Sequence, residues 1–140
     1  MDRTTVEKVL EQAKAIKIMG LDFVLGLGID GICEAYNGIG PQFLPENMRD
    51  GVTRKLAIFE PAAMGHDCRF HKSDGTRASF DYANNEFVIN CRKCAKAAYP
   101  WYSWRRYRAY AVIDAMDKFN CSDMGGWRAW QEAYQKNRAA

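Results

Sequence analysis

An all-α fold is predicted: a single small domain with two central antiparallel helices and a glycine-rich loop. Three observations predict it. Apolar residues recur at three- and four-residue spacing in several separate runs, no stretch longer than four residues alternates with period two, and proline and glycine divide the runs into helix-sized pieces. The chain has 140 residues, 48% of them hydrophobic, which is enough for one core and short for two. We therefore take residues 1–140 as one helical domain.

The first run carries Val6, Val9, Leu10, Ala13 and Ile16 at helical spacing. Thr4 followed by Glu7 resembles a capping box, and Gly20 stops the run. Residues 20–45 are rich in glycine and are expected to be mostly loop. Residues 46–60 predict one or two short helices ending at Glu60-Pro61, because the residue before proline is pushed out of helical geometry. Pro61 suits the first turn of a new helix, expected over 61–72 and closed by the turn signal Ser73-Asp74-Gly75. The next helix is expected over 76–98, with Phe80, Ala83, Phe87, Asn90 and Cys91 along one side. Tyr99-Pro100 breaks the chain, 102–119 is helix-compatible, and after Met124-Gly125-Gly126 a last short helix covers 127–137.

Several function classes are set aside by composition. Twenty basic against 17 acidic side chains give a net charge of +3, too small to argue for a nucleic-acid partner. The most apolar stretch, 18–33, contains Asp22, Asp30 and four glycines and is no transmembrane segment. The N-terminal run is amphipathic and lacks the pattern of a secretory signal. Five cysteines, an odd number, fit free thiols in a reducing cytoplasm.

Four constellations carry possible chemistry. Gly26-Leu27-Gly28-Ile29-Asp30-Gly31 has dinucleotide-fingerprint spacing but lacks the strand–turn–helix setting that motif needs. Cys68, His71, Cys91 and Cys94 give Cys-x-x-His and Cys-x-x-Cys, a spacing used by zinc, although both pairs fall within helical runs. Tyr99 to Arg108 interleaves aromatics with arginines. Such a run can stack bases or sit at a membrane surface, while its simplest reading is part core and part solvated edge.

The fourth constellation is the strip from Ala62 to Phe70, with His66 beside Asp67. Adjacent helical residues point about 100° apart, so the pair can serve two different neighbours. Ala62, Ala63 and Gly65 leave room around the imidazole, and Asp81 or Asn84 on the facing helix can fix its tautomer. Upstream, Tyr36-Asn37-Gly38-Ile39-Gly40-Pro41 permits bends that aim carbonyl oxygens inward. Carbonyls together with the Asp67 carboxylate suit calcium, a hard ion with oxygen ligands.

These residues resemble the phospholipase A2 superfamily, especially its short viral and bacterial members. The resemblance rests on Tyr36 to Pro41 as a calcium-loop-like segment, on Ala63-x-x-His66-Asp67-x-x-Phe70, and on Ala83-Asn84-x-x-Phe87. It implies a phospholipase A2-like core over about 36–98 and a calcium-dependent lipid ester hydrolase. His66 would be the general base, Asp67 with Tyr36, Gly38 and Gly40 the calcium site, and Asp81 or Asn84 the group that orients His66. The partner implied is a phospholipid surface, and the location cytoplasmic or virion-associated. Asn84 stands where the family has an aspartate, and Phe70 where it has a tyrosine. The alternatives are a catalytically weak scaffold serving as a protein interaction module, and a zinc-stabilised binding protein built on Cys68, His71, Cys91 and Cys94.

Overall fold

The computed structural model describes residues 1–39 and 55–140. Among the described residues there are seven α-helices and no strand: α1 (Arg3–Ile16), α2 (Leu21–Gly26), α3 (Gly28–Ala35), α4 (Glu60–His71), α5 (Arg77–Ala98), α6 (Trp104–Asn120) and α7 (Arg128–Ala139). The fold class is all-α in one small domain. No described helix is long and apolar enough to cross a membrane.

Helix α1 buries Val6, Val9, Leu10 and Ala13, the spacing read from the sequence. Its cap is Asp2 rather than Thr4: the Asp2 carboxylate accepts the Thr5 N–H at 2.9 Å. The glycine-rich stretch is not mostly loop. Gly20 and Gly28 take positive φ (82° and 73°) and form the junctions, while α2 and α3 between and after them turn Val24, Ile32 and Ala35 into the core. Burial of these side chains outweighs the modest helix penalty of Gly26 and Gly31.

The expected break at Glu60-Pro61 is also absent. A 3₁₀ turn, Ala57–Phe59, passes directly into α4, with Pro61 in the first turn, where its missing N–H costs nothing. The expectation for 46–54 lies outside the described residues. Among the described residues, helices α4 and α5 form the most extensive pairing. Thr76 caps α5 and Ser103 caps α6, each accepting a backbone N–H. At the other end, α7 is fastened over the turn between α4 and α5: Ser73 Oγ donates to the Trp130 carbonyl at 2.9 Å, and Trp130 Nε1 donates to the Thr76 carbonyl at 3.1 Å.

Helix α5 buries polar side chains as well as apolar ones, and each polar one is used. Asn90 clamps the link between α1 and α2, accepting the Met19 N–H at 2.7 Å and donating to the Met19 carbonyl at 2.9 Å. Glu86, 2% exposed, takes a two-pronged ion pair from Arg69 of α4 at 2.9 and 3.2 Å. Gly20 makes room for it, since a Cβ there would meet the Glu86 carboxylate at 2.6 Å.

The aromatic and basic run is part core and part solvated edge, with more of its aromatics outside than in. Tyr99 packs against the core, as does Tyr110 just beyond the run, and Arg105 and Arg108 are solvated, but Trp101, Tyr102, Trp104 and Tyr107 are all exposed. The inward side of α6 is made by Ala109 and Ile113.

Asn90→Ala is expected to destabilise the protein by about 2 kcal/mol or more, because it leaves both Met19 backbone groups without their partner. Urea denaturation checks this, with exposed Asn85→Ala, expected within about 0.5 kcal/mol of wild type, as the reference.

Candidate active site

Contacts between α4 and α5 bring the predicted pair together. His66 Nε2 lies 2.9 Å from Asn84 Oδ1. Asn84 Nδ2 donates to the Asn120 carbonyl at 3.3 Å, which fixes the orientation of the amide and leaves Oδ1 for the histidine. An amide oxygen only accepts, so neutral His66 carries its proton on Nε2 and its lone pair on Nδ1. The ring is held between Phe70 and Phe87, at centroid separations of 4.4 and 4.8 Å.

One residue on, Asp67 points to a different neighbour. Its Oδ2 accepts the Asn37 N–H at 3.0 Å and so ties the 36–39 segment to α4. Gly38, at φ 87°, turns the chain immediately afterwards. Tyr36 is fully buried, and its hydroxyl has no hydrogen-bond partner among the described residues.

His66, Asp67, Asn37 and Gly38 open into one cavity of about 1030 Å³. Phe70, Phe87, Val112, Met116 and Phe119 supply much of its apolar wall. This is large enough for the reacting part of an amphiphile with a hydrocarbon tail.

Burial sets the electrostatics. It pushes the His66 imidazole down to about 4, opposed only by the Asn84 hydrogen bond, so the ring is neutral at pH 7. It pushes the Asp67 carboxyl up to about 7, opposed only by the Asn37 N–H. Among the described residues no lysine or arginine pairs with Asp67.

The remaining candidates fall elsewhere. Asp81 does not join His66; it is exposed and pairs with Arg77 at 3.5 Å. Gly40 lies outside the described residues. Cys68, Cys91 and Cys94 are buried free thiols, and burial raises the pKa of each, Cys68 to about 12 and Cys94 to about 11. His71 is half-buried at the end of α4. Among the described residues no three His, Cys, Asp or Glu side chains are grouped to hold a metal ion.

Sequence reasoning missed the contribution of α6 and of the turn after it. Asn120 supplies the carbonyl that orients Asn84, and Phe119, Met124, Gly125 and Gly126 complete the cavity wall. The signal was Gly125-Gly126: a Cβ on Gly126 would collide with the Asn120 carbonyl oxygen, so glycine is required for that turn to close against the end of α6.

Comparison of the chain with models of known families, with curated proteins and with solved structures finds no match in any of the three.

The Asp67 shift predicts a pH effect on stability. Its folded pKa is raised from 3.8, so the native state holds the proton more tightly than the unfolded chain between about pH 4 and pH 7, and this contribution falls as pH rises through that window. Asp67→Asn keeps an acceptor for Asn37. With calcium chelated, it is expected to stabilise the protein by about 1–2 kcal/mol at pH 8 and to have little effect at pH 4. Denaturation at the two pH values measures the difference.

Proposed function

We propose that this chain is a calcium-dependent, phospholipase A2-like lipid ester hydrolase in which His66 is the general base. One observation carries the reading: His66, oriented through Nε2 by Asn84, and Asp67, bonded to the Asn37 amide, open together into a largely apolar cavity of about 1030 Å³.

The chemistry follows from the proton positions. With Nε2–H given to Asn84, the Nδ1 lone pair takes a proton from water as that water attacks the ester carbon. The same nitrogen then returns the proton to the departing alkoxide, which leaves as the alcohol product. The apolar walls receive the acyl chain. In this reading calcium would be held by Asp67 with Tyr36, Gly38 and Gly40, and would polarise the ester carbonyl and stabilise the oxyanion.

Asn84 limits the rate. Its amide oxygen orients the imidazole but brings no negative charge to stabilise the imidazolium, and burial disfavours that cation. This favours a second reading, a weak or inactive scaffold of the same architecture that serves as a protein interaction module.

Fatty-acid release from mixed phospholipid vesicles, with calcium or with chelator, separates the two. The hydrolase reading predicts calcium-dependent release that falls by roughly a hundredfold or more in His66→Ala. Asn84→Asp is expected to raise the wild-type rate by about tenfold or more by lifting the imidazole pKa toward its ordinary value. No release by folded wild type in either condition removes the hydrolase reading for these lipids and leaves the scaffold.

A further inference from the structure

The start of α6 carries a surface that the cavity chemistry does not use. Trp101 is 72% exposed, Tyr102 71%, Trp104 82% and Tyr107 57%. Four large aromatics left in solvent within seven residues are unusual, since such rings are among the most strongly buried side chains. Arg105 and Arg108 are exposed among them, whereas Arg106 is half-buried and donates to the Tyr110 hydroxyl at 3.1 Å.

The sequence flanking this surface is basic, although Lys93 donates to the Lys17 carbonyl at 2.7 Å. Residues 87–113 contain Arg92, Lys93, Lys96, Arg105, Arg106 and Arg108 and no acidic residue. The overall charge of +3 conceals this, because the rest of the chain is net acidic.

We propose that Trp101, Tyr102, Trp104 and Tyr107, with Arg105 and Arg108, form a docking surface for an anionic lipid bilayer. Tryptophan and tyrosine favour the headgroup level, where the ring is in an apolar setting and its polar atom stays wet. The arginines complement anionic headgroups. A second copy of this chain fits poorly, because pairing the surface with itself would oppose like charges.

The direction of α6 favours a bilayer over a nucleic acid. At about 100° per residue, Trp104, Tyr107, Arg108, Ala111, Ala115, Lys118 and Phe119 share one exposed side of the helix. That side leads to Phe119 and Met124, which are 56% and 80% exposed at the cavity wall. A side that carries aromatic rings and cations and ends at an apolar cavity suits an anionic amphiphile, which brings a headgroup charge and a hydrocarbon chain together, better than a phosphodiester chain, which has no hydrocarbon for the cavity. The inference shares its lipid class with the proposed hydrolase but rests on these surface observations, so docking and hydrolysis are separable.

Co-sedimentation with phosphatidylglycerol–phosphatidylcholine vesicles in chelator tests it without turnover. Wild type is expected to bind these vesicles, to bind pure phosphatidylcholine vesicles more weakly, and to be released by salt. Trp101→Ala/Trp104→Ala and Arg105→Gln/Arg108→Gln are each expected to bind about tenfold or more weakly, with unchanged circular dichroism. Undiminished binding by the two double variants would overturn the proposal. So would capture of a single-stranded oligonucleotide without vesicle binding, or a wild-type dimer that binds no vesicle and that Trp101→Ala/Trp104→Ala makes monomeric. Intact docking with no fatty-acid release in calcium would instead overturn the hydrolase reading alone.

Discussion

A helix that buries Asn84, Glu86 and Asn90 must find each of them a partner, and most of this architecture is the set of partners found. An unsatisfied buried polar group costs about 1–3 kcal/mol, so three would consume much of a small domain's stability. Asn90 is answered by the backbone of Met19, Glu86 by Arg69, and Asn84 by His66 and the Asn120 carbonyl. These bonds fasten three different parts of the chain to α5: the link after α1, helix α4, and the end of α6. The proposed site is where the last two meet.

The same constraint decides what the imidazole can do. Asn84 fixes the tautomer, with the lone pair on Nδ1, while burial leaves the ring weakly basic. Asp67 shows the converse, a carboxyl that burial pushes toward its neutral form, opposed by the Asn37 N–H. The two side chains are therefore oriented by different elements, His66 by α5 and Asp67 by the 36–39 segment.

The later helices were legible in the sequence because turn and proline signals divide them: Ser73-Asp74-Gly75, Tyr99-Pro100 and Met124-Gly125-Gly126. The contact between His66 and Asn84 was legible because helical spacing and one tight turn bring α4 and α5 together. Helices α2 and α3 were not, because glycine density reads as loop unless one knows that Val24, Ile32 and Ala35 have a core to face. Asp81 failed as a partner for a similar reason. Three residues advance about 300°, and the remaining 60° separates the buried seam, where Asn84 sits, from solvent, where Arg77 holds Asp81. Periodicity defines a face; depth of burial depends on the neighbours.

The orientation of the imidazole is the point from which the site's chemistry follows, and nitrogen NMR on ¹⁵N-histidine-labelled protein reads it directly. The structure predicts that His66 is the Nε2–H tautomer at pH 7 and takes up its second proton near pH 4. A proton on Nδ1, or titration near the ordinary imidazole value of about 6.5, would contradict it.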